Sequence, residues 1–329
     1  MRVRLREIVI EGFRAIRSPL KLELLQPDGE PLRRVVLAGP NGSGKTSILE
    51  AMILALGRED LLLRDLPAAE RGDHWRTEVP PGATIELRGD IPGQKFRITR
   101  TARNWEFERD NGSKIQGEDA VRRYLKDSIQ FDLEYFSSWR APILPGGLQP
   151  ITRGRSPHDT EANRLRRFKQ KIINERARRA FELPAGLTHD TIWLERLNRV
   201  WSAFHRDGST LDAGIVDPNA EDPLFDLFVF DGSKRRCSID QISSGELELL
   251  TFAGALLFGE FAGIVMIDEP ELHLHREWQS QLLNALSTMA PKAQLIVTTH
   301  ADAPWDQVYS YERFFLAAPN DPRALATNG

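Results

Sequence analysis

The stretch Val35-Val36-Leu37-Ala38-Gly39-Pro40-Asn41-Gly42-Ser43-Gly44-Lys45-Thr46-Ser47 decides how this 329-residue sequence is read. Residues 39–46 fit G-x-x-x-x-G-K-[ST] at every fixed position and follow a compact apolar run. The spacing then predicts a helix from about Gly44 to Leu56, stopped by Gly57. These residue types suit an anion: glycines let successive backbone N–H groups turn inward, and a helix N-terminus adds partial positive charge. Lys45 is placed to reach the β- and γ-phosphates of ATP, and Thr46 to offer its hydroxyl to Mg2+. Gly39, Asn41, Gly42, Ser43, Gly44 and Ser47 complete the expected cradle. A Gly-rich turn with a chance Gly-Lys-Thr is the bland alternative; it leaves the strand before and the helix after unexplained.

Three further pieces follow in order. Gly263 to Glu269 (GIVMIDE) is a buried-strand run ending in two acids. Such a strand brings its carboxyl end beside the phosphate loop, where Asp268 would hold Mg2+ and Glu269 would polarise water as general base. A plain Asp-Glu turn before Pro270 is the structural alternative. Ile242-Ser243-Ser244-Gly245-Glu246 precedes an apolar segment, Leu247 to Phe258. It reads either as an anion-binding turn at a helix start or as a capping box between Ser243 and Glu246. Ala293 to Thr299 is another buried strand, ending at His300, which either reaches a γ-phosphate or merely sits at the surface.

The rest of the chain supplies elements rather than chemistry. Residues 2–13 and 21–25 read as strands, 83–109 as an antiparallel meander with turns at Pro92-Gly93 and Asn111-Gly112. Helices are expected over 118–128 and 190–204, strands over 131–136 and 224–230. Residues 153–179 hold ten Lys/Arg, from Arg153 and Arg155 through Lys169 to Arg179, against three acids. They read equally as a nucleic-acid contact and as a solvated helix paired to acids elsewhere.

Composition excludes several classes. With 44 Lys+Arg against 47 Asp+Glu the net charge is −3, so this is no bulk polycation. One cysteine, Cys237, rules out a disulfide framework and a four-thiolate zinc site. No apolar run reaches 18 residues and no leader pattern opens the chain, so a cytoplasmic protein without membrane attachment is expected.

The order phosphate loop, I-S-S-G-E, V-M-I-D-E-P-E-L-H-L-H, I-V-T-T-H resembles ABC-type ATPase heads of the RecF/SMC/OLD branch, and I-V-I-E-G-F-R-A-I (8–16) resembles that branch's opening strand. The likeness is strong over 1–57 and 237–305. It implies an α/β P-loop NTPase fold with a mixed sheet, N-terminal antiparallel strands and a helical insertion. The expected division is 1–139 and 224–329 as parts of the head and 140–223 as a basic insertion lobe. The resemblance further implies ATP hydrolysis with Mg2+ in a head-to-tail dimer or higher oligomer. Ser243, Ser244, Gly245 and Glu246 of one copy would meet the nucleotide of the other, with Glu269 as base and His300 as switch histidine. His273 and His275 correspond to the segment crossing that interface. The sequence departs from the common S-G-G-Q at Ser244 and Glu246, and Gln130 and Gln149 compete for the glutamine-loop position. Glu134 to Arg140 resembles a segment of OLD-like heads, with Arg140 either structural or close to phosphate. About 25 residues follow Pro304, so a nuclease or effector partner is expected on a separate chain, with DNA as a client in defence or repair. A transporter nucleotide-binding subunit, an ATP-dependent scaffold and an antitoxin-like binding module are the rival readings.

Overall fold

A computed structural model describes residues 3–64, 75–129, 132–140, 164–181, 192–221, 224–257 and 261–317. The chain divides into two compact units: Met1–Arg140 with Ala262–Leu272 and Lys292–Gly329, and Ala141–Phe261 with His273–Pro291. The first unit begins with β1 (Arg4–Glu11), β2 (Leu20–Glu23), β3 (Arg34–Ala38), α1 (Lys45–Ala55) and a single helical turn, α2 (Asp60–Leu63). There follow β4 (Thr84–Ile91), β5 (Gln94–Thr101), β6 (Trp105–Arg109), β7 (Lys114–Gln116), α3 (Glu118–Tyr124), a π-helical segment at Leu125–Ile129, and β8 (Leu133–Phe136). The second unit contributes α4 (Arg164–Phe181), α5 (Ile192–Phe204), β9 (Thr210–Ile215), β10 (Phe225–Asp231), β11 (Lys234–Ser238) and α6 (Ser244–Leu256). Next, β12 (Ile264–Asp268) belongs to the first unit and α7 (Arg276–Met289) to the second; β13 (Gln294–Thr299), α8 (Asp302–Asp306) and β14 (Arg313–Phe315) return to the first.

The expected antiparallel and parallel strands sort into two separate sheets in the first unit. One is wholly antiparallel, in the order β2-β1-β4-β5-β6-β7; the other is wholly parallel, in the order β14-β3-β13-β12-β8. Helix α1 touches β1, β4 and β5 of the first sheet and β12 and β13 of the second. That placement explains its sequence. Ile48, Leu49, Met52, Ile53 and Leu54 cover the whole circumference, all with no exposed surface, as a helix walled in on every side requires. Burial of each such side chain contributes roughly 1.5–3 kcal/mol. Strand β13 is likewise buried at every residue, as a central parallel strand should be. Its one awkward group, the amide of Gln294, is satisfied by accepting from Leu5 N–H (2.7 Å) and donating to Leu5 and Leu32 carbonyls (2.9 Å each).

The meander gained a fourth strand, β7, after the Asn111-Gly112 turn, and the segment 2–13 holds a single strand, β1. In the second unit, β9, β10 and β11 make a three-stranded antiparallel sheet with β10 central. Strand β9 falls within the segment expected to be a helical lobe; Leu211 and Ala213 alternate with exposed or half-buried neighbours, a pattern too short to stand out in the sequence. Arg153, Arg155, Gln130, Gln149, Phe131 and the turn at 142–150 lie outside the described residues. Among the described residues no helix is long and apolar enough to cross a membrane.

Within the basic stretch, Lys169 is paired to acids elsewhere in the chain, but it is buried rather than solvated. It is fully buried on α4, with Nζ 2.6 Å from Asp226 on β10 and 2.8 Å from Asp240. Ser238 donates to the other Asp226 oxygen at 2.6 Å. Arg176 sits 3.4 Å from Asp212 of β9. Removing one partner of such a buried ion group leaves an uncompensated charge, which costs about 3–5 kcal/mol. Lys169→Ala is therefore expected to lower unfolding free energy by that amount in urea titration; a change below about 1 kcal/mol would show the triad to be weakly coupled to the fold.

Candidate active site

The carboxyl ends of three parallel strands come out at one level. Ala38 of β3 pairs with Thr299 of β13, and Thr298 pairs with Asp268 of β12. Strand β13 thus stands between the strand that feeds the phosphate loop and the strand that carries the acids. The carboxyl end of the Asp268 strand reaches the helix start after the loop through side chains, across the intervening strand β13.

The loop itself is shaped by its glycines. A Cβ on Gly39 would lie 2.2 Å from the Leu316 carbonyl and 2.8 Å from Ser43 Oγ, so no side chain fits there. Gly44, the residue before α1, has φ 94°, in the left-handed region that glycine tolerates. Lys45 is buried, and its Nζ donates to the carbonyls of Gly39 (2.8 Å) and Pro40 (3.1 Å). Ser43 Oγ is buried with no hydrogen-bond partner among the described residues. A loop of unclosable cradle, buried ammonium and orphaned hydroxyl fits a phosphate chain.

Thr46 Oγ1 donates to the Asp268 carboxylate at 2.9 and 3.1 Å. Thr298 Oγ1 donates to Asp268 Oδ1 at 2.5 Å and accepts from the Glu269 N–H at 3.1 Å. A hydroxyl and a carboxylate are hard oxygen donors, the pair that suits Mg2+, which keeps waters and substrate phosphates as its remaining ligands. Glu269 has φ 50°, an unusual conformation for a residue with a side chain. Its turn is braced from below: buried Arg140 donates to the carbonyls of Asp268 (2.6 Å), Ser137 (2.7 Å) and Glu269 (2.9 Å). Of the two readings of Arg140, these bonds are the structural one.

His300 Nδ1 lies 3.3 Å from Glu269 Oε1. The histidine is oriented by Glu271, whose buried Oε1 accepts from the Thr299 hydroxyl (2.5 Å) and the His300 N–H (3.2 Å). So Lys45, Thr46, Asp268, Glu269 and His300 belong to the same end of the parallel sheet. Asn41 and Gly42 are exposed on the loop, and Ser47 is half-buried in the first turn of α1. On that helix, Glu50 is buried and paired with Arg14 and with Arg76, the latter at 3.2 Å. Burial, with the neighbouring Arg76 charge, lowers the Arg14 guanidinium to about 10.

Ser243, Ser244, Gly245 and Glu246 belong to the second unit. Here the capping-box reading is realised: Ser243 Oγ accepts from Glu246 N–H at 3.3 Å, and Glu246 Oε2 accepts from Ser243 N–H at 2.7 Å. The cap leaves Ser243 and Ser244 exposed, so it does not compete with an anion-binding role. Gly245 is forced by close approach, since a Cβ there would sit 2.9 Å from the His273 carbonyl. His275 caps α7, accepting from Glu277 N–H at 3.5 Å. Burial would raise the Glu246 carboxyl, but hydrogen bonds from His205 and Ser243 outweigh it and hold the group at about 2.

Sequence reasoning missed Thr298, Glu271, the Arg14–Glu50–Arg76 group and His205. Thr299-His300 and Glu271 flank motifs already found; Arg14 sat inside the opening strand element; nothing in the sequence pointed from His205 to Glu246, 41 residues away.

Two outcomes follow from this geometry. Arg140→Ala removes donors to two carbonyls of the acidic turn, so turnover should fall by about 100-fold, as expected for a misplaced reacting group, while nucleotide affinity stays within about 2-fold. Equal loss of both would show a general folding defect. Glu246 has its carboxyl depressed from 4.5 to about 2, so its stabilisation is present above pH 4.5 and fades as pH falls towards 2. The stability gap between wild type and Glu246→Gln, followed by denaturation, should close over that range.

A family model described as AAA domain matches residues 7–183, more than half of the chain, and a second, described as AAA domain, putative AbiEii toxin, Type IV TA system, matches 153–303. The chain is 22% identical over 308 residues to a Septu protein PtuA of Bacillus mycoides (strain KBAB4), covering 89% of this chain and 38% of that protein. It is 24% identical over 301 residues to an OLD nuclease of Thermus scotoductus (strain ATCC 700910 / SA-01), covering 82% and 55%. A Septu protein PtuA of Bacillus thuringiensis is 40% identical over 48 residues, 15% of this chain and 12% of that protein. The chain therefore spans only part of the length of these curated relatives. Among solved structures, an SMC head bound to the C-winged helix domain of ScpA superposes with TM-score 0.53 at 16% identity, covering 91% of this chain and 90% of that one. An Smc head domain with an extended coiled coil, in a complex with ScpA derived from Pyrococcus furiosus, gives 0.52 at 14%, covering 93% and 92%. The P-loop fold and the family model converge, with similarity to an OLD nuclease and a fold like that of SMC heads: the chain belongs to the AAA domain family.

Proposed function

We propose that this chain hydrolyses ATP in a head-to-tail dimer and thereby controls a separate effector in a defence system of the Septu/OLD kind. The observation that carries the reading is the joined set at the end of the parallel sheet: Thr46 bonded to Asp268 at 2.9 Å, and His300 Nδ1 3.3 Å from Glu269. Lys45 and the loop amides bind the triphosphate, and Thr46 and Asp268 hold Mg2+, which neutralises phosphate charge. Glu269 takes a proton from the attacking water, and His300, steadied by Glu271, is placed to sense the γ-phosphate end of the site. Ser243, Ser244 and Gly245 of the second copy complete the site; the exposure of Ser243 and Ser244 on the capped helix start supports that use. The expected effector is a nuclease or a DNA-bound protein on another chain, by analogy with the OLD nuclease and PtuA relatives.

Glu269→Gln keeps the shape and removes the base. Single-turnover hydrolysis should drop by about 100- to 10,000-fold, while ATP binding persists and the variant, with ATP and Mg2+, runs at twice the chain mass in native mass spectrometry. A variant that remains monomeric at high concentration, or that hydrolyses ATP at the wild-type rate, removes this reading. Assay with and without duplex DNA then tests the client: no change in rate leaves the effector, not DNA, as the regulated partner.

A further inference from the structure

The second unit holds a histidine that faces the signature turn from behind. His205 follows α5, and its Nε2 lies 2.8 Å from Glu246 Oε1. Its other ring nitrogen lies 3.1 Å from the Trp201 carbonyl. The ring is stacked on Trp201, with centroids 3.7 Å apart and planes within 9°, and the edge of Trp278 from α7 closes it at 5.0 Å. Trp201 is itself pinned, its indole N–H donating to Ser209 Oγ at 3.0 Å. An imidazole held between two indoles has almost no rotational freedom, so its contact with Glu246 is a fixed one. The two partners of the ring are a carbonyl and a carboxylate, both hydrogen-bond acceptors.

Glu246 has two oxygens with divided tasks. Oε2 accepts from Ser243 N–H and closes the capping box, while Oε1 is taken by His205. The carboxylate is therefore clamped from both sides, and with it the backbone at Ser243 to Gly245. Without the histidine, Oε1 is released, and the side chain recovers rotamers that break the bond to Ser243 N–H. A box of Ser and Glu alone is a common cap; a box whose glutamate is gripped by a ring wedged between tryptophans is a braced one.

We propose that His205 is a positioning residue for the signature turn: it fixes Glu246, and so sets Ser243 and Ser244 in the orientation that meets the triphosphate held by a second copy. This rests on the head-to-tail reading proposed above. His205 touches no nucleotide in this scheme, and its effect reaches the chemistry of the partner's site rather than that of its own chain.

The test uses the full chain and mixing of variants. His205→Phe keeps a ring on Trp201 but has no donor; His205→Gln keeps a donor but has no ring. His205→Phe should lose at least about 10-fold in kcat while ATP binding to the chain alone stays within about 2-fold, and His205→Gln should keep more than half of wild-type kcat. Mixing His205→Phe with Lys45→Ala should restore activity, because one site then combines an intact phosphate loop from one chain with an intact signature turn from the other. Wild-type turnover by His205→Phe, or loss of turnover that mixing does not restore, overturns the proposal. Mixing Gly245→Ala with Lys45→Ala separates the two layers. If that pair fails to restore activity, the head-to-tail reading falls; if it succeeds while the His205→Phe pair fails, only the role of His205 falls. Thermal melting of each variant identifies a folding defect, and a His205→Phe chain that melts like wild type with undiminished turnover also counts against the proposal.

Discussion

Everything at the end of the parallel sheet depends on how the Asp268 carboxylate is shared. It lies almost wholly out of solvent, and a buried charge needs donors. Two hydroxyls supply them, Thr46 from the helix after the phosphate loop and Thr298 from the intervening strand. The Asp268 carboxylate thereby joins three segments that are far apart in sequence, and Thr298, by also accepting from the Glu269 amide, ties β13 to both acids. A metal ion arriving at Thr46 and Asp268 would enter a site whose donors are already aligned, which lowers the cost of ordering them.

Around that network the molecule is built in two different ways. In the first unit, α1 is buried from Ile48 to Ala55 between the two sheets, and its hold is mainly apolar: Ile48, Met52 and Ile53 have no exposed surface. In the second unit, rigidity around the signature turn is polar and aromatic. Lys169 between two aspartates fixes the segment just before the turn, and the Trp201–His205–Trp278 stack stands behind it. Buried charge rarely adds net stability compared with an apolar substitute, but it is unforgiving of alternative packing.

The phosphate loop, the acidic strand end, the Ser-Gly turn and the strand ending in His300 were legible because each is a local pattern: fixed spacing, apolar run, abrupt polar stop. The helix at 45–55 and the strands at 34–38, 264–268 and 294–299 fell where those patterns put them. What stayed hidden was pairing. The sequence has no signal for strand order, so the insertion of β13 between β3 and β12, and with it the part played by Thr298, came only from the register. The short strands β7, β9 and β11 were missed because three to six residues of partial alternation do not rise above chance. Lys169 looked like one more positive residue in a basic run; its burial is decided by Asp226 and Asp240, more than fifty residues away.

The backbone at Glu269 has a consequence for which amino acids the position can accept. With φ at 50°, asparagine, aspartate or glycine would sit there at less conformational cost, and branched side chains would be excluded. Aspartate would keep the charge and relieve the backbone, yet it is one methylene shorter and would draw its carboxylate back from His300. The residue present is thus the less comfortable one with the longer arm: the position trades main-chain ease for side-chain reach.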